Sequence, residues 1–276
     1  MKNILLLGAT GSIGDSVLSV IKQNSDSLNL YGIAAGKNTE KAAAIIKNFS
    51  PKNIFIEDIA AYDFISSSFP NQNILNSDKE LLDLISDNKV DIVVSAIVGF
   101  AGLKASLMAV NAGKIVLIAN KESIVAAGDI LMPLAKSKGA QIIPIDSEHN
   151  AIFQCLPADK STTDVSKIII TASGGPFLDI PLSKLNNISP KEALKHPNWE
   201  MGSKISIDSA TLVNKCLELI EARYLFDLNE KLFDLVIHPQ SIIHSIVTYI
   251  DGSSISQMSN PNMEVPIANA LSDIRK

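Results

Sequence analysis

Short, uniformly apolar segments recur through the first half of this chain, with helix-patterned stretches between them. They are NILLLGA (3–9), NLYGIAA (29–35), NIFIED (53–58), DIVVSAI (91–97), KIVLIAN (114–120) and QIIPID (141–146). A strand that faces water on one side alternates polar and apolar residues. One that is apolar throughout is covered on both faces, as in a parallel sheet flanked by its own crossover helices. The stretches at 15–23, 39–49, 79–87, 103–111 and 126–137 have the length and periodicity for those crossovers. The pattern predicts an α/β fold whose Rossmann-type, doubly wound parallel sheet occupies residues 1–145.

The second half reads differently. SKIIITAS (166–173) is one further strand. Residues 182–204 are polar, interrupted by Pro190 and Pro197, and read as loop with short helix. Residues 208–226 predict one long helix, and 232–259 predict strands with a turn at Asp251-Gly252. An α+β domain over 146–276 is therefore expected, with the boundary close to residue 145.

Composition removes several function classes. Of 276 residues, 46% are hydrophobic, and the net charge of −5 is spread without a basic stripe, which argues against a nucleic-acid partner. The longest uncharged apolar run, 92–103, falls short of the roughly 18 residues that a membrane span needs. Cys155 and Cys216 are too few for a disulfide framework and are expected as buried thiols in a reducing, cytoplasmic setting. The apolar start reads as a first strand rather than a signal peptide, because a glycine turn follows at once.

That turn is GATGSIG, 8–14, with G-x-x-G-x-x-G spacing. The first glycine allows a tight turn, Gly11 allows backbone to approach a pyrophosphate, and Gly14 allows the helix to pack against the sheet. The helix N-terminus offers free N–H groups to phosphate. After the next strand an NAD site carries an acid for the ribose 2′-hydroxyl. Here the strand runs into Gly36, Lys37 and Asn38, and Lys37 would attract a 2′-phosphate, so NADPH is expected over NADH.

In PIDSEHNAIFQ, 144–154, the acids Asp146 and Glu148 stand at a strand end, where α/β folds bind ligands. On an extended stretch, i and i+2 share a side, and converging carboxylates call for a proton or a hard cation. Equally, Asp146 or Ser147 could simply cap a helix. On the predicted helix from Asp208, Leu212, Val213, Cys216, Leu217, Leu219 and Ile220 share an apolar face. Thr211, Asn214, Lys215 and Glu218 lie opposite, as a solvated stripe or as an anion site beside a third carboxylate. TASGGPF (171–177) suits close backbone approach to a ligand, and Trp199 in KHPNWEMG is either a packed anchor or part of a lid. His238 and His244 sit in strand patterns and read as structural.

Taken together, GATGSIG, AAGKN, AIVGFAGL, LIANKESIV, PIDSEHNAIFQ, TASGGPF, HPNWEMGSKISIDSATLVNK, LELIEARYLF and IHPQSIIHSIV resemble the 1-deoxy-D-xylulose 5-phosphate reductoisomerase family over almost the whole chain. The resemblance implies that Thr10, Gly11, Ser12 and Ile13 cradle the NADPH pyrophosphate. Gly36, Lys37 and Asn38 would hold the 2′-phosphate end, and Asn120, Glu122 and Gly202 would also touch the cofactor. Asp146, Glu148 and Glu218 would ligate a divalent ion (Mg²⁺, Mn²⁺ or Co²⁺). Lys121, Ser147, Ser173, His196, Ser209, Asn214 and Lys215 would contact a small phosphorylated ketose beneath a lid bearing Trp199. The implied reaction breaks and re-forms a carbon–carbon bond of 1-deoxy-D-xylulose 5-phosphate. It then reduces the resulting aldehyde to 2-C-methyl-D-erythritol 4-phosphate, in non-mevalonate isoprenoid precursor synthesis. A homodimer is implied too, as is a C-terminal helical domain that this sequence does not contain. Two other readings compete: a metal-free dehydrogenase, which would need its acids only as caps, and a nucleotide-sensing module without turnover.

Overall fold

The computed structural model describes residues 1–197, 199 and 202–273. It divides into two compact units, Met1–Ile145 and Asp146–Lys276.

In the first unit the strands are β1 (Lys2–Leu7), β2 (Leu28–Ala35), β3 (Asn53–Ile56), β4 (Asn73–Leu75), β5 (Ile92–Ser95), β6 (Ile115–Ile118) and β7 (Gln141–Pro144). All pair in parallel, in the order β4-β3-β2-β1-β5-β6-β7. The helices are α1 (Ser12–Gln23), α2 (Thr39–Phe49), α3 (Ile59–Ser68), α4 (Asp78–Ser86), α5 (Leu103–Asn111) and α6 (Lys121–Lys138). Ile4, Leu5, Leu6, Ile33, Ile54, Ile92, Val93 and Leu117 are fully buried, as the unbroken apolar runs require.

Strand order reverses between β1 and β5, the switch point at which doubly wound sheets open a ligand crevice. Gly8 forms the turn there with φ +83°, and a Cβ on it would lie 2.5 Å from the Ala96 carbonyl oxygen. A side chain at residue 8 would therefore push the two turns apart.

Three features of this unit depart from the pattern. α3 and β4 are additional. α3 buries only Ala61 and Ile65, too narrow a stripe to register as periodicity, and Asp58 caps it. β4 is a three-residue edge strand. α6 begins at Lys121 rather than near 126, because the Asn120 side chain caps it, and Ala127 inside it departs from helical geometry (φ −142°).

The second unit contains α7 (Ser147–Cys155), β8 (Val165–Ala172), α8 (Pro190–Ala193), α9 (Ser203–Ala210), α10 (Val213–Phe226), β9 (Phe233–Ile237), β10 (Ile243–Tyr249), β11 (Ser254–Met258) and α11 (Glu264–Asp273). Its mixed sheet runs β11-β10-β8-β9, with β10 antiparallel to both neighbours. Ile152 and Cys155 of α7 meet Ala222 and Phe226 of α10 over Ile168, Ile170 and Val247. Burial pushes the Cys155 thiol up to about 11, the behaviour of an inert packed cysteine.

Here the long predicted helix is corrected. It is two helices, α9 and α10, separated at Leu212, which has φ +60°. Burial on α10 is also the reverse of a simple amphipathic reading. Lys215, Glu218 and Glu221 are buried, whereas Leu212, Val213, Cys216 and Ile220 are exposed. Cys216 is thus not the buried thiol that its apolar neighbours suggested. Among the described residues no helix is long and apolar enough to cross a membrane.

Candidate active site

Above the switch point of the first unit lies a cavity of about 480 Å³, within the range of small-molecule sites. Its walls include Gly8, Thr10 and Gly11 from the glycine turn, Gly36 after β2, and Ala96 and Val98 after β5. No side chain caps α1 at Gly11, so its first-turn N–H groups remain available to an anion. Ser12 and Ile13 open that turn. A Cβ on Gly14 would stand 2.3 Å from the Ala9 carbonyl oxygen, so only glycine lets α1 sit this close to the end of β1. A Cβ on Gly11 would meet only the Gly8 oxygen, at 3.4 Å, and its absence leaves room in the cavity. These contacts fit a dinucleotide pyrophosphate.

Lys37 and Asn38 are exposed beyond Gly36, and the Asn38 side chain caps α2 through the Lys41 N–H. The sequence reading missed two acids in this wall, Glu57 at the end of β3 and Asp78, which is paired with Lys104 at 2.5 Å. Asn120 is buried; its amide donates to the Ile97 and Gly99 carbonyls and its oxygen accepts from Ser123 N at 2.8 Å. It thereby clamps the turn after β5. Lys121, buried, and Glu122 follow in the first turn of α6.

The second unit assembles the acids. Asp146 is the N-cap of α7, with Oδ1 accepting from Ser147 N at 3.1 Å. Glu148 lies one residue into that helix, so the two carboxylates converge across a helix start and not along an extended strand. Asp146 is thus both the helix cap and a member of the carboxylate cluster. Ser147 Oγ donates to Glu148 Oε2 at 2.6 Å, and Ser245 Oγ of β10 donates to the Glu148 carbonyl at 2.9 Å. From α10, Glu218 completes the set: one oxygen from each of Asp146, Glu148 and Glu218 lies within 4.8 Å of the others.

Lys215 is drawn into this acidic centre, with Nζ 2.6 Å from Glu148 Oε1 and 2.5 Å from Glu218 Oε2. Asn214 donates to the other oxygen of Glu218. Burial works against the Lys215 ammonium, but Glu148 and Glu218 outweigh it and hold its pKa above the ordinary value. The centre therefore binds positive charge. An all-oxygen set of converging carboxylates suits a hard divalent ion, so the residues present fit such an ion. This also explains the reversed burial of α10, whose polar stripe faces α7.

A second layer went unrecognised in the sequence. His149, fully buried, bonds the Glu218 carbonyl through Nε2 at 2.9 Å, and its Nδ1 is 3.5 Å from Glu221 Oε2 and 3.9 Å from Asp146 Oδ2. Burial disfavours the charged imidazole, yet Glu221, Asp146 and Glu218 together raise its pKa. The available signal was spacing: Asp146/His149 and Glu218/Glu221 are both i,i+3 pairs.

The remaining predicted substrate groups lie on loops of the same unit. Gly174 and Gly175 have positive φ (+89° and +71°), and a Cβ on Gly175 would be 2.8 Å from the Ser209 carbonyl oxygen. That brings the TASGGPF turn against the end of α9. Ser209 was expected at the start of a helix, but the following helix opens at Val213, which places Asn214 and Lys215 in its first turn. Asp208, on α9, pairs with Lys204 at 2.7 Å.

Ser173 Oγ and His196 Nε2 are 2.9 Å apart, and Trp199 N donates to His196 Nδ1 at 3.0 Å. The Nδ1 acceptor fixes the neutral Nε2–H tautomer, and burial lowers the pKa of His196. Trp199 meets His244 edge-on, with ring centroids 6.1 Å apart, while Asn198, Glu200 and Met201 of the same segment lie outside the described residues. Gly202 is the exposed N-cap of α9. His238 accepts from Ile242 N and His244 bonds Ser259.

A dinucleotide-sized crevice in a Rossmann unit, joined in one chain to a unit with a cation-binding carboxylate centre, defines a dinucleotide-dependent oxidoreductase with cation-assisted chemistry. Comparison with known proteins narrows the class. Residues 4–128 match the family described as 1-deoxy-D-xylulose 5-phosphate reductoisomerase, and residues 142–226 match the C-terminal domain of the same enzyme. The chain belongs to this family.

The reductoisomerase of Acinetobacter baylyi is 48% identical over 98% of this chain and 71% of its own length. That of Actinobacillus pleuropneumoniae serotype 5b is 48% identical over 98% and 72%. A crystal structure of DOX-P reductoisomerase in complex with NADPH, fosmidomycin and magnesium superposes with a TM-score of 0.94, at 46% identity over 99% of this chain and 70% of that one. The Zymomonas mobilis enzyme in complex with NADPH gives 0.88, at 40% identity over 98% and 70%. A hyperthermophilic archaeal homoserine dehydrogenase, 13% identical with a TM-score of 0.63, shares the fold alone.

Proposed function

We propose that this chain converts 1-deoxy-D-xylulose 5-phosphate to 2-C-methyl-D-erythritol 4-phosphate with NADPH and a divalent ion, as a cytoplasmic homodimer. The observation that carries this reading is the centre formed by Asp146, Glu148 and Glu218, into which Lys215 is drawn. The unit Met1–Ile145 binds NADPH, with α1 presenting N–H groups to the pyrophosphate and Lys37 matching the charge of the 2′-phosphate. The unit Asp146–Lys276 carries the rearrangement.

A divalent ion, when bound, supplies Lewis-acid polarisation of the substrate carbonyl and its neighbouring hydroxyl. The chain's own groups do the rest. Asp146, Glu148 and Glu218 would hold the ion. Lys215 and Asn214, with Ser173, Ser209 and His196, supply hydrogen-bond donors for the substrate phosphate. Anchoring the phosphate away from the reacting carbons orients the ketose and leaves one face for hydride. The Trp199 segment excludes water from the intermediate aldehyde. Lys121 and Ser147 complete the substrate contacts, and Asn120, Glu122 and Gly202 those of the cofactor.

Glu218→Gln tests the reading, since it keeps shape and removes one charge. NADPH affinity should stay within about twofold of the parent, and turnover should fall by about 100-fold or more, since the loss of an outer partner of a metal ligand alone costs about 10- to 100-fold. Turnover that persists in this variant, or that survives exhaustive chelation in the parent, would refute the assignment.

A further inference from the structure

We propose that Glu57 is a specificity-determining residue of the dinucleotide site: its carboxylate accepts from the exocyclic amino group of adenine and selects that base over one with a carbonyl in its place. The proposal deepens, and rests on, the reading of the crevice above the switch point as the NADPH site.

The crevice runs across three neighbouring strands. Its walls include Gly8 and Gly11 after β1, Gly36 after β2, and Phe55 and Glu57 at the end of β3. Paired strands lie about 4.8 Å apart, so the end of β3 is roughly 10 Å from the end of β1. A pyrophosphate on the N-terminus of α1 therefore leaves the adenosine to cross β2 and its base to arrive over β3.

That far end has the surface a flat base needs. Phe55 and Glu57 are two residues apart on extended chain, share a face, and both line the cavity. Leu81 and Leu82 of α4, each half-buried, and Ala105 of α5 add apolar wall. A purine ring can bury against such walls, but an amino group on its edge then loses its bonds to water and needs an acceptor.

Two acids line this end. Asp78 is already paired with Lys104 at 2.5 Å. The Glu57 carboxylate has no such partner among the described residues. Its backbone, in contrast, is held on both sides. The Glu57 N–H donates to the Ala35 carbonyl at 2.9 Å, and its carbonyl accepts from Asn76 Nδ2 at 3.3 Å. The root of the side chain is thereby fixed while its oxygens stay open to a ligand. A Cβ on Gly36 would find only Glu57 Oε2 within 4 Å, at 3.9 Å, so the carboxylate stands beside the path from β2 to β3.

The sign of the charge decides which part of the ligand it meets. A carboxylate accepts and cannot donate. It repels a 2′-phosphate, which is left to Lys37, and it attracts N–H. In the adenosine half of the cofactor the N–H donors belong to the amino group of the base. The rival donor is a ribose hydroxyl, and that is the same whichever base is attached.

The full chain is titrated with NADPH, NADH and deamino-NADPH, in which hypoxanthine replaces adenine, by the nicotinamide fluorescence common to all three. The parent should bind NADPH about tenfold more tightly than deamino-NADPH, the worth of a hydrogen bond to a charged acceptor. Glu57→Ala should weaken NADPH and NADH by the same factor, about tenfold, and leave deamino-NADPH no weaker. Glu57→Gln should abolish the preference between the bases, because an amide can accept from the amino group or donate to the carbonyl. Both variants should melt with the parent, since Glu57 is exposed. The base preference of the parent needs no variant, and its absence overturns the proposal. Two other results do so as well: Glu57→Ala weakening all three dinucleotides alike, as a ribose contact would, or tightening NADPH relative to NADH. A parent that binds none of the three refutes instead the dinucleotide reading beneath it.

Discussion

Replacing Gly14 by alanine sets two opposing effects against each other, and the structure decides between them. Gly14 is the third residue of α1, and alanine there would raise intrinsic helix stability by about 1 kcal/mol. The added Cβ, however, would lie 2.3 Å from the Ala9 carbonyl oxygen and 2.6 Å from its carbon. These are backbone atoms at the end of β1, so no side chain can rotate away. The start of α1 must move outward by about 1 Å to restore van der Waals separation. Forced overpacking of this kind costs about 1–3 kcal/mol, which exceeds the gain in propensity.

Melting should therefore drop by several degrees. NADPH affinity should drop further. A shift of about 1 Å takes an N–H from hydrogen-bonding distance to beyond it, and a bond to a charged group is worth about 1.5–3 kcal/mol. The expected loss is about 10- to 100-fold in the dissociation constant, read from NADPH fluorescence enhancement. Gly11→Ala is the informative companion, because its Cβ meets only the Gly8 oxygen at 3.4 Å. It should leave melting unchanged and weaken NADPH by occupying the cavity. Gly14→Ala with parental melting and parental affinity would refute the claim that glycine is required there for helix–sheet approach.

Two further outcomes follow from the geometry. Lys37→Ala should weaken NADPH by about tenfold, the value of one partly screened charge near a phosphate, and leave NADH affinity unchanged; equal losses for both cofactors would remove Lys37 from the 2′-phosphate site. The fluorescence of Trp199, the single tryptophan, should respond to acid. Burial holds the folded His196 pKa below the ordinary 6.5, so the neutral clasp is complete above pH 6.5 and is lost as pH falls through the lower folded value. Protonation places a hydrogen on Nδ1, against the Trp199 N–H that it now accepts. The transition should persist in His244→Asn, whose parent histidine also touches Trp199, and a midpoint above 6.5 would contradict the assignment.

The parallel sheet was legible because its physics is local. A strand buried on both faces has to be apolar at every position, and β1, β2, β5 and β6 declare themselves in this way. α3 and β4 carried too little buried surface to be read. α10 misled for a better reason. Its apolar residues look like a core face, and its Lys, Asn and Glu like a solvated one, but α7 brings opposite charges to the polar side. Periodicity reports which residues share a face, and it cannot report whether water or another polar group will cover that face.

The break at Leu212 was likewise invisible, since a leucine at positive φ is held there by its surroundings and not by its own preference. Sequence alone determined the doubly wound unit, the glycine turn at its switch point and the identity of the acids at 146, 148 and 218. Tertiary structure alone decided that these acids meet within 4.8 Å, that Lys215 is pulled between them, and that His149 and Glu221 stand behind them. Those outcomes depend on the approach of α7 and α10, which are about 60 residues apart in the chain, and attraction between opposite charges acts only once packing has brought them together.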